Sequence, residues 1–182
     1  MTFEYPGAPR IAAFSKVSKE RFVADFSDAF PNEAGRAGEI YENLKLPVRA
    51  TTGSAGYDFF MPVTVTLAPG ETAKIPTGIR AEMAESFVLM LFPRSGLGFK
   101  YRLQLNNTVG VIDSDYAYSD NEGHIFVKLT NDSNEGKTVE LTEGTGFAQG
   151  IFLPYGITVD DAAEGKRNGG FGSTTGNSNK EA

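Results

Sequence analysis

Residues 110–116 read Gly-Val-Ile-Asp-Ser-Asp-Tyr, and this stretch decides how the rest of the sequence is interpreted. Val111 and Ile112 are β-branched and typical of a strand, and the chain then changes abruptly to acidic residues. Carboxylates at the end of a buried strand must face solvent, a partner or a ligand, because an unpaired buried charge is costly. An ordinary strand that ends in a polar turn has the same pattern, so the stretch alone does not establish a site.

Asp113 and Asp115 are the two acids of this stretch, and Tyr116 follows them with an amphipathic ring. In an extended segment, side chains two residues apart point to the same face, so both carboxylates would be presented together. One of them can then be a general base and the other structural. The spacing leaves open which acid has which role.

Two further segments have residues that suit either a phosphate or a turn. Arg94, Ser95 and Gly96 follow an apolar run that ends at Pro93, and an arginine beside a hydroxyl can bind phosphate from an exposed turn. Without a ligand the same residues form a solvated turn. Asp58 ends the sequence Ala-Gly-Tyr-Asp and, on its own, is interpreted as a turn acid.

The region from residue 160 onward is rich in Gly, Ser and Thr, and Phe171 is its only aromatic residue. Glycines at 169, 170 and 172 allow successive N–H groups to converge on an anion, while Ser173, Thr174, Lys166 and Arg167 add hydroxyl donors and positive charge. A flexible linker has a similar composition. The placement of Phe171 between glycines favours a closing lid, in which the ring stacks on a planar group and the amides hold phosphates.

Composition excludes several classes of protein. The chain has 182 residues, a net charge of −6, one histidine and no cysteine. The acidic balance argues against a general nucleic-acid binder. Thiolate and multi-histidine metal sites are excluded, and a Ser-His-Asp triad would have to be built around His124. Because neither a secretory signal nor a membrane-length apolar run is visible, we expect a cytoplasmic protein without a membrane partner.

The apolar pattern predicts mainly β-structure. Ser18 can N-cap a helix with one apolar stripe at residues 22, 23, 26 and 30, and a second short helix is expected around residues 40–44. The expected strands lie at residues 63–67, 74–79, 87–92, 123–129, 138–141 and 147–153. The run at 87–92 is apolar throughout, so it predicts a strand buried on both faces. Short strands at this spacing predict an all-β sandwich or barrel.

Together these segments resemble the motifs of the trimeric dUTPase family, and they occur in the family's order. The first motif is matched by residues 55–58, the second by 93–97, the third by 110–116, the fourth by 146–149 and the fifth by 169–174. The similarity covers residues 46–176.

The resemblance implies an all-β, dUTPase-like β-barrel or jelly roll. Residues 1–45 would be a short N-terminal helical extension, residues 46–159 the β core, and residues 160–182 a flexible glycine-rich arm that closes over the active site. The implied activity is that of a Mg²⁺-dependent dUTP diphosphatase, which hydrolyses dUTP to dUMP and pyrophosphate by water attack at the α-phosphate. The implied assembly is a homotrimer with shared active sites, without a nucleic-acid or membrane partner.

The resemblance also implies a role for each matched residue. Asp113, rather than Asp115, is the base that activates the attacking water. Tyr116 packs on the deoxyribose, where a 2′-hydroxyl would clash. The uracil edge is recognised by Asn107 and by the backbone around Val111 and Ile112.

The other implied roles concern the phosphates, the metal and the arm. Arg94, Ser95 and Gly96 contact the phosphates, and Gln149 contributes to the phosphate and water environment. Asp58 holds water bound to the metal.

In the arm, Phe171 stacks on uracil and Gly172 belongs to the phosphate cradle. Ser173 and Thr174 lie near the γ-phosphate, and Lys166 or Arg167 is the basic residue.

The sequence departs from the family pattern in three places that matter for the site. One is the ending Thr-Thr-Gly at residues 174–176, which has one threonine more than is usual. Tyr118 occupies the position, two residues after the tyrosine, where the family has glycine, and the simplest alignment inserts residues 118–122 into the hairpin. In the arm, Lys166 stands where the family usually has arginine, with Arg167 one residue closer to Phe171.

Two alternatives are a dCTP deaminase, which shares the fold, and a regulatory protein that uses the fold as a nucleotide-gated switch. The deaminase has a different signature around the serine turn. The regulatory protein would bind dUTP with slow or no turnover and bind a partner through the insert or the N-terminal helix. The complete set of five segments favours the hydrolase.

Overall fold

The computed structural model describes residues 7–165 and residue 167. Within them the chain forms twelve β-strands, three α-helices and two 3₁₀ helices. The predominance of short strands confirms the β-rich class that the alternating pattern predicts. No helix in this part of the chain is both long and apolar enough to cross a membrane.

The elements follow one another in short steps along the chain. The strands are β1 Ala12–Lys16, β2 Val48–Arg49, β3 Tyr57–Phe60, β4 Val65–Leu67, β5 Thr72–Pro76, β6 Ile79–Met83, β7 Phe87–Pro93, β8 Leu103–Leu105, β9 Gly110–Ile112, β10 Phe126–Asn131, β11 Val139–Leu141 and β12 Gly146–Pro154. The helices are α1 Lys19–Ala29, α2 Ala37–Asn43 and α3 Ser95–Tyr101, with 3₁₀ helices at Pro31–Arg36 and Ser114–Tyr118.

The described strands pair into four sheets. The largest has the order β2-β3-β12-β7-β9, a second has the order β5-β10-β8, and the pairs β1-β6 and β4-β11 complete the set. All the pairings are antiparallel. Because the ladders are divided among four sheets, closure into one barrel or jelly roll stays a prediction.

Strand β7 differs from its prediction as a strand buried on both faces. Leu89 and Leu91 are buried, but Val88, Met90 and Phe92 between them are only half-buried. One face of the strand packs into the core of the subunit, and the described chain covers the other face incompletely. A continuous apolar run therefore predicts more burial than the strand has, because its second apolar face is only partly covered by the rest of the chain.

The expected strand at residues 74–79 is in fact two strands. β5 ends at Pro76, and β6 begins at Ile79 after a turn in which Gly78 has φ +73°. Glycine adopts this left-handed conformation without a steric penalty, so the chain changes sheets here.

The N-terminal region confirms the predicted helix and adds a strand that the pattern did not indicate. The hydroxyl of Ser18 accepts the N–H of Arg21 and caps α1, and Phe22 and Phe26 are fully buried. These rings pack with residues of α2 and the segment before β4 in a second apolar cluster. The additional strand, β1, pairs along its whole length with β6. Its sequence Ala-Ala-Phe-Ser-Lys has too few apolar residues to alternate clearly.

The end of β12 and the residues beyond it present apolar side chains at every second position. Leu153, Tyr155, Ile157 and Val159 are 43%, 47%, 74% and 108% exposed. This alternation is typical of an extended segment with one apolar face. In the single subunit that face lies open to solvent.

Candidate active site

Asp113 and Arg94, two of the predicted site residues, lie at opposite ends of the β7-β9 strand pair. Ile112 is paired with Leu89, so Asp113 continues past that point toward Val88. Arg94 lies six residues beyond Val88 at the other end of β7. At the usual rise per residue, six residues correspond to roughly 20 Å of strand. Within one chain, the predicted base therefore lies far from the predicted phosphate-binding residues.

At one end, Asp58, Arg94 and Gln149 form a group that we call the arginine cluster. Gln149 on β12 is the cross-strand partner of Asp58 on β3, and β7 lies on the other side of β12. The Arg94 Nε lies 3.3 Å from Asp58 Oδ1, and the Gln149 side-chain amide donates to the carbonyl of Pro93 at 3.2 Å. Sheet register thus brings together residues from three of the predicted motifs.

Two glycines allow this cluster to form. A Cβ on Gly56 would lie 2.7 Å from Gln149 Oε1, and a Cβ on Gly146 would lie 2.6 Å from Arg94 Nη1. Both distances are shorter than real side-chain contacts. A side chain at either position would have to displace the end of Gln149 or of Arg94, so both glycines favour the close approach within the cluster.

Ser95 and Gly96 are exposed, as expected, but they do not lie in a simple turn. Ser95 is the first residue of the short helix α3, and Arg94 precedes it in an extended conformation. The N–H groups of Leu97 and Gly98 donate to the carbonyl of Arg94, which begins the helix. The expectation of a solvated turn is therefore wrong, although the side chains remain accessible.

Asn107 lies in the turn between β8 and β9, before the residue of β9 that is paired with Leu91, and it lines a cavity of about 410 Å³. Val111 is 50% exposed and Ile112 is buried, so the two side chains of β9 point in opposite directions. The other lining residues come from several elements. They are Lys74, Asn106, Asn121, Phe126 and Lys128.

Sequence reasoning missed these other lining residues because strand pairing places them there. Lys74 and Lys128 are direct cross-strand partners on β5 and β10, and Lys74 Nζ lies 4.3 Å from the centroid of the Phe126 ring. Asn121 comes from the insert at residues 118–122. The insert therefore forms part of the wall of the cavity.

Asp113 and Asp115 are not in one extended segment, so the predicted reason for their common orientation is wrong. Asp113 is extended, but Ser114 begins a 3₁₀ helix that contains Asp115. A common cation nevertheless brings the carboxylates together. Arg167 donates from Nη2 to Asp113 and from Nε to Asp115, the latter at 2.8 Å. Both carboxylates are about half exposed, with side-chain exposures of 48% and 55%.

Tyr116 is buried and is held through its hydroxyl. The hydroxyl donates to the carbonyl of His124 at 2.8 Å and accepts from the side-chain amide of Asn121 at 2.8 Å. Burial raises the pKa of Tyr116, so it remains a phenol at neutral pH. The guanidinium carbon of Arg167 lies 5.7 Å from the centroid of the ring. Arg167 thus contacts both the acids and the tyrosine of residues 107–124, a segment that we call the nucleoside hairpin after the motif that it resembles.

His124 is fully buried, and both of its ring nitrogens are engaged. The N–H of Gly78 donates to Nε2 at 2.8 Å, so Nε2 is the unprotonated nitrogen and Nδ1–H donates to Asp25 at 2.6 Å. Burial lowers the pKa of His124 and outweighs the hydrogen bond to Asp25, which would raise it. Because neither nitrogen is available to a serine, His124 does not form a hydrolytic triad.

Asp25 completes this arrangement from helix α1. Burial alone would raise the pKa of its carboxyl, but hydrogen bonds from Arg21 and His124 lower it below the ordinary value. The pair is therefore a neutral histidine that donates to a carboxylate. Helix α1 is joined in this way to the loop that holds Tyr116.

The residues present fit a magnesium ion that is bound through the substrate better than one bound in a protein cage. In residues 7–165 and 167, no three or more Asp, Glu or His side chains are grouped closely enough to hold a metal. Mg²⁺ commonly takes substrate phosphates and water, with one or two carboxylates. Asp58, with 19% of its side chain exposed beside Arg94, suits contact through water.

The remaining predicted residues of the arm lie outside the described residues. They are Lys166, Phe171, Gly172, Ser173 and Thr174. Their roles stay predictions.

Comparison with known proteins matches one family model, described as dUTPase, over residues 42–175. The deoxyuridine 5'-triphosphate nucleotidohydrolase of Lactococcus lactis is 43% identical over 139 residues, which cover 74% of this chain and 91% of that protein. The crystal structure of dUTPase from Streptococcus mutans is 42% identical, with a TM-score of 0.56 over 64% of this chain and 90% of that one.

A structure of the dUTPase from phage phi11 of S. aureus, in a mutant form, is also similar. It is 26% identical, with a TM-score of 0.56 over 68% of this chain and 92% of that chain, and it describes the coordination of a structural Mg(II) ion.

Proposed function

This chain belongs to the dUTPase family and is a deoxyuridine 5'-triphosphate nucleotidohydrolase, and we propose that it cleaves dUTP by attack of water at the α-phosphate, with Asp113 as general base. The products are dUMP and pyrophosphate. The observation that supports this mechanism best is the half-exposed Asp113 carboxylate beside Tyr116 and on the same hairpin as Asn107. A general base must reach the water that it deprotonates, and an accessible carboxylate at a nucleoside pocket can do so.

Arg167 donates to both Asp113 and Asp115, so its guanidinium occupies the side of the Asp113 carboxylate that faces it. The phosphates of dUTP attract the same guanidinium, and a charge-assisted contact with phosphate can replace the contact with the acids. We infer that substrate binding draws Arg167, with Lys166 beside it, toward the phosphates and frees the base.

The arginine cluster is proposed to bind the phosphates. Arg94 supplies charge, and Ser95 and Gly96 supply a hydroxyl and exposed backbone next to it. Gln149, fixed by its bond to the carbonyl of Pro93, orients water or a phosphate oxygen. Asp58 would hold water on Mg²⁺, which when bound neutralises charge on the triphosphate and polarises it toward attack.

A homotrimer with shared sites would bring the two groups together. Asp113 and Arg94 lie roughly 20 Å apart along one strand pair, too far for both to act on one phosphate. Arg94 of one subunit can approach Asp113 of another only across an interface. The open apolar face formed by Leu153, Tyr155 and Ile157, together with the incompletely buried face of β7, supplies surface for such an interface.

We propose that the chain has three regions, which are an N-terminal extension at residues 1–45, a β core at 46–159 and a C-terminal arm at 160–182. In the arm, Phe171 would stack on uracil, which is worth roughly 1–3 kcal/mol for an aromatic ring on a base. Gly172, Ser173 and Thr174 would contact the terminal phosphates.

Uracil and deoxyribose would be selected in the cavity that Asn107 lines. Backbone around Val111 and Ile112 offers donors and acceptors that match the uracil edge and mismatch the amino group of cytosine. A close-fitting turn leaves no room for the thymine methyl group, and Tyr116 leaves none for a 2′-hydroxyl.

The test is to offer dUTP, dTTP, dCTP and UTP separately with Mg²⁺ and to measure pyrophosphate and the nucleoside monophosphate. We expect efficient conversion of dUTP alone. Comparable turnover of dTTP would overturn the specificity, and formation of dUTP from dCTP would indicate a deaminase. Tight binding of dUTP with little pyrophosphate would indicate the regulatory alternative.

A further inference from the structure

We propose that helix α1 positions Tyr116 for discrimination between deoxyribose and ribose, with Asp25 and Glu122 as the positioning residues. This inference rests on the proposed role of Tyr116 at the sugar. Helix α1 lies before residue 42, where the match to the family model begins. The helix therefore adds to the site something that the matched motifs do not contain.

The first connection runs from the helix to the tyrosine hydroxyl. Asp25 accepts from Nδ1 of His124, and Gly78 donates to Nε2 of the same ring, so the side chain is held at both nitrogens. The backbone carbonyl of this fixed histidine accepts the hydroxyl of Tyr116. Asp25 thus acts on the tyrosine through one intervening residue.

The second connection runs through Glu122. Its carboxylate accepts from the backbone N–H and from the hydroxyl of Ser18, each at 2.7 Å. Ser18 is the N-cap of α1, so the start of the helix is tied directly to the insert. Glu122 has φ 61°, an unfavourable conformation for glutamate, which these two hydrogen bonds help to maintain.

Asn121 transmits this second connection to the ring. It precedes Glu122, donates to the hydroxyl of Tyr116, and accepts from Ser119 and from the N–H of Gly123. Its side chain also lines the cavity with Asn107. The loop is therefore anchored to the helix at two points, and the tyrosine hydroxyl lies between them.

Such anchoring matters because sugar discrimination is steric. A 2′-hydroxyl is rejected only if the ring cannot move away by a fraction of an ångström, so a loosely held ring would admit both sugars. Loss of the anchor should therefore weaken dUTP binding and reduce the preference for dUTP over UTP. It should affect the chemical step much less.

The experiment compares Asp25→Ala, Asp25→Asn and Asp28→Ala in the full-length protein, with kcat and KM measured for dUTP and UTP. Asp25→Ala leaves the buried Nδ1–H without its acceptor, and we expect the ratio of kcat/KM for dUTP to that for UTP to fall about tenfold, mainly through KM. Asp25→Asn retains an acceptor oxygen and should restore most of the ratio. Asp28 is an exposed acid of the same helix, and Asp28→Ala should leave the ratio unchanged.

Glu122→Gly provides a second variant that does not depend on the buried pair. It removes the contact with Ser18 and relieves the positive φ, so the chain should fold even if Asp25→Ala does not. We expect a fall in the ratio of roughly threefold. A purely structural role would lower the activities toward both nucleotides in proportion.

If the wild-type protein prefers dUTP over UTP and both Asp25→Ala and Glu122→Gly keep the wild-type ratio of kcat/KM for the two nucleotides, this inference is overturned. The proposed function would be unaffected by that result. A wild-type protein that hydrolyses dUTP and UTP equally would overturn the assignment of Tyr116, and this inference with it.

Discussion

The arginine cluster and the nucleoside hairpin are built in different ways. The cluster comes from adjacent strands of one sheet, and the register of β12 against β3 and β7 brings its members together. The hairpin depends on contacts between residues that are far apart in sequence, such as His124 with Asp25 and Glu122 with Ser18, separated by 99 and 104 residues. Sheet pairing therefore determines one half of the site, and docking of the N-terminal helix determines the other.

The two halves share one electrostatic feature. Asp58 pairs with Arg94 in the cluster, and Arg167 pairs with Asp113 in the hairpin. Each pair engages a charged side chain that the proposed reaction needs, namely Arg94 for the phosphates and Asp113 as the general base. In the proposed mechanism the substrate phosphates would compete for both cations, so binding would reorganise both halves at once.

Loss of the carboxylate in the hairpin should have the largest effect. Asp113→Asn should fold and bind dUTP but lower kcat by about 10²–10⁴-fold, which is the usual contribution of a general base. Asp115→Asn is the matched control and should be milder, because its carboxylate also contacts Arg167 but has no assigned proton to transfer. Single-turnover kinetics would measure both. Equal, small losses in the two variants would contradict the assignment of Asp113.

A mixing experiment would show whether the two halves come from different subunits. Asp113→Asn and Arg94→Ala should each be nearly inactive, but coexpression in equal amounts should restore about a quarter of the wild-type sites, if subunits assemble at random in a symmetric trimer. A restored site takes Asp113 from one chain and Arg94 from the other. If each site belonged to a single chain, the mixture would be as inactive as its parents.

The buried histidine should have the smallest effect, and it concerns stability. The pKa of His124 in the folded protein lies below its ordinary value of 6.5, so the unfolded chain takes up a proton first as the pH falls. The contribution to stability is complete above pH 6.5 and decreases below it, by at most about 1.4 kcal/mol per pH unit. Asp25, with a pKa below 3.8, adds a further loss only at more acidic pH.

Urea unfolding between pH 7.5 and 5 would measure this dependence. His124→Gln is the control, because an amide can hydrogen bond to Asp25 and Gly78 but does not titrate. The variant should be less sensitive to pH over this range. An equally steep decline in both proteins would assign the effect to other groups.

The sequence predicted what depends on local pattern and on recognisable motifs. The Ser18 cap, the apolar stripe of α1 and most of the strands follow from spacing. The pairing of Arg167 with Asp113 could not be predicted, because it depends on where a C-terminal residue returns in space. The position of Lys74 and Lys128 in the cavity wall could not be predicted either, because it depends on the register between β5 and β10, which a single sequence specifies only weakly.

The apolar residues that alternate from Leu153 to Val159 also affect how the protein must be made. A newly synthesised chain exposes them to solvent, and an exposed apolar extended segment promotes aggregation. In the proposed trimer, association with other subunits and aggregation would compete for the same surface, and both would accelerate as the protein becomes more concentrated. If association covers this face, the lifetime of the isolated chain limits the yield of enzyme, and the measured stability will depend on protein concentration.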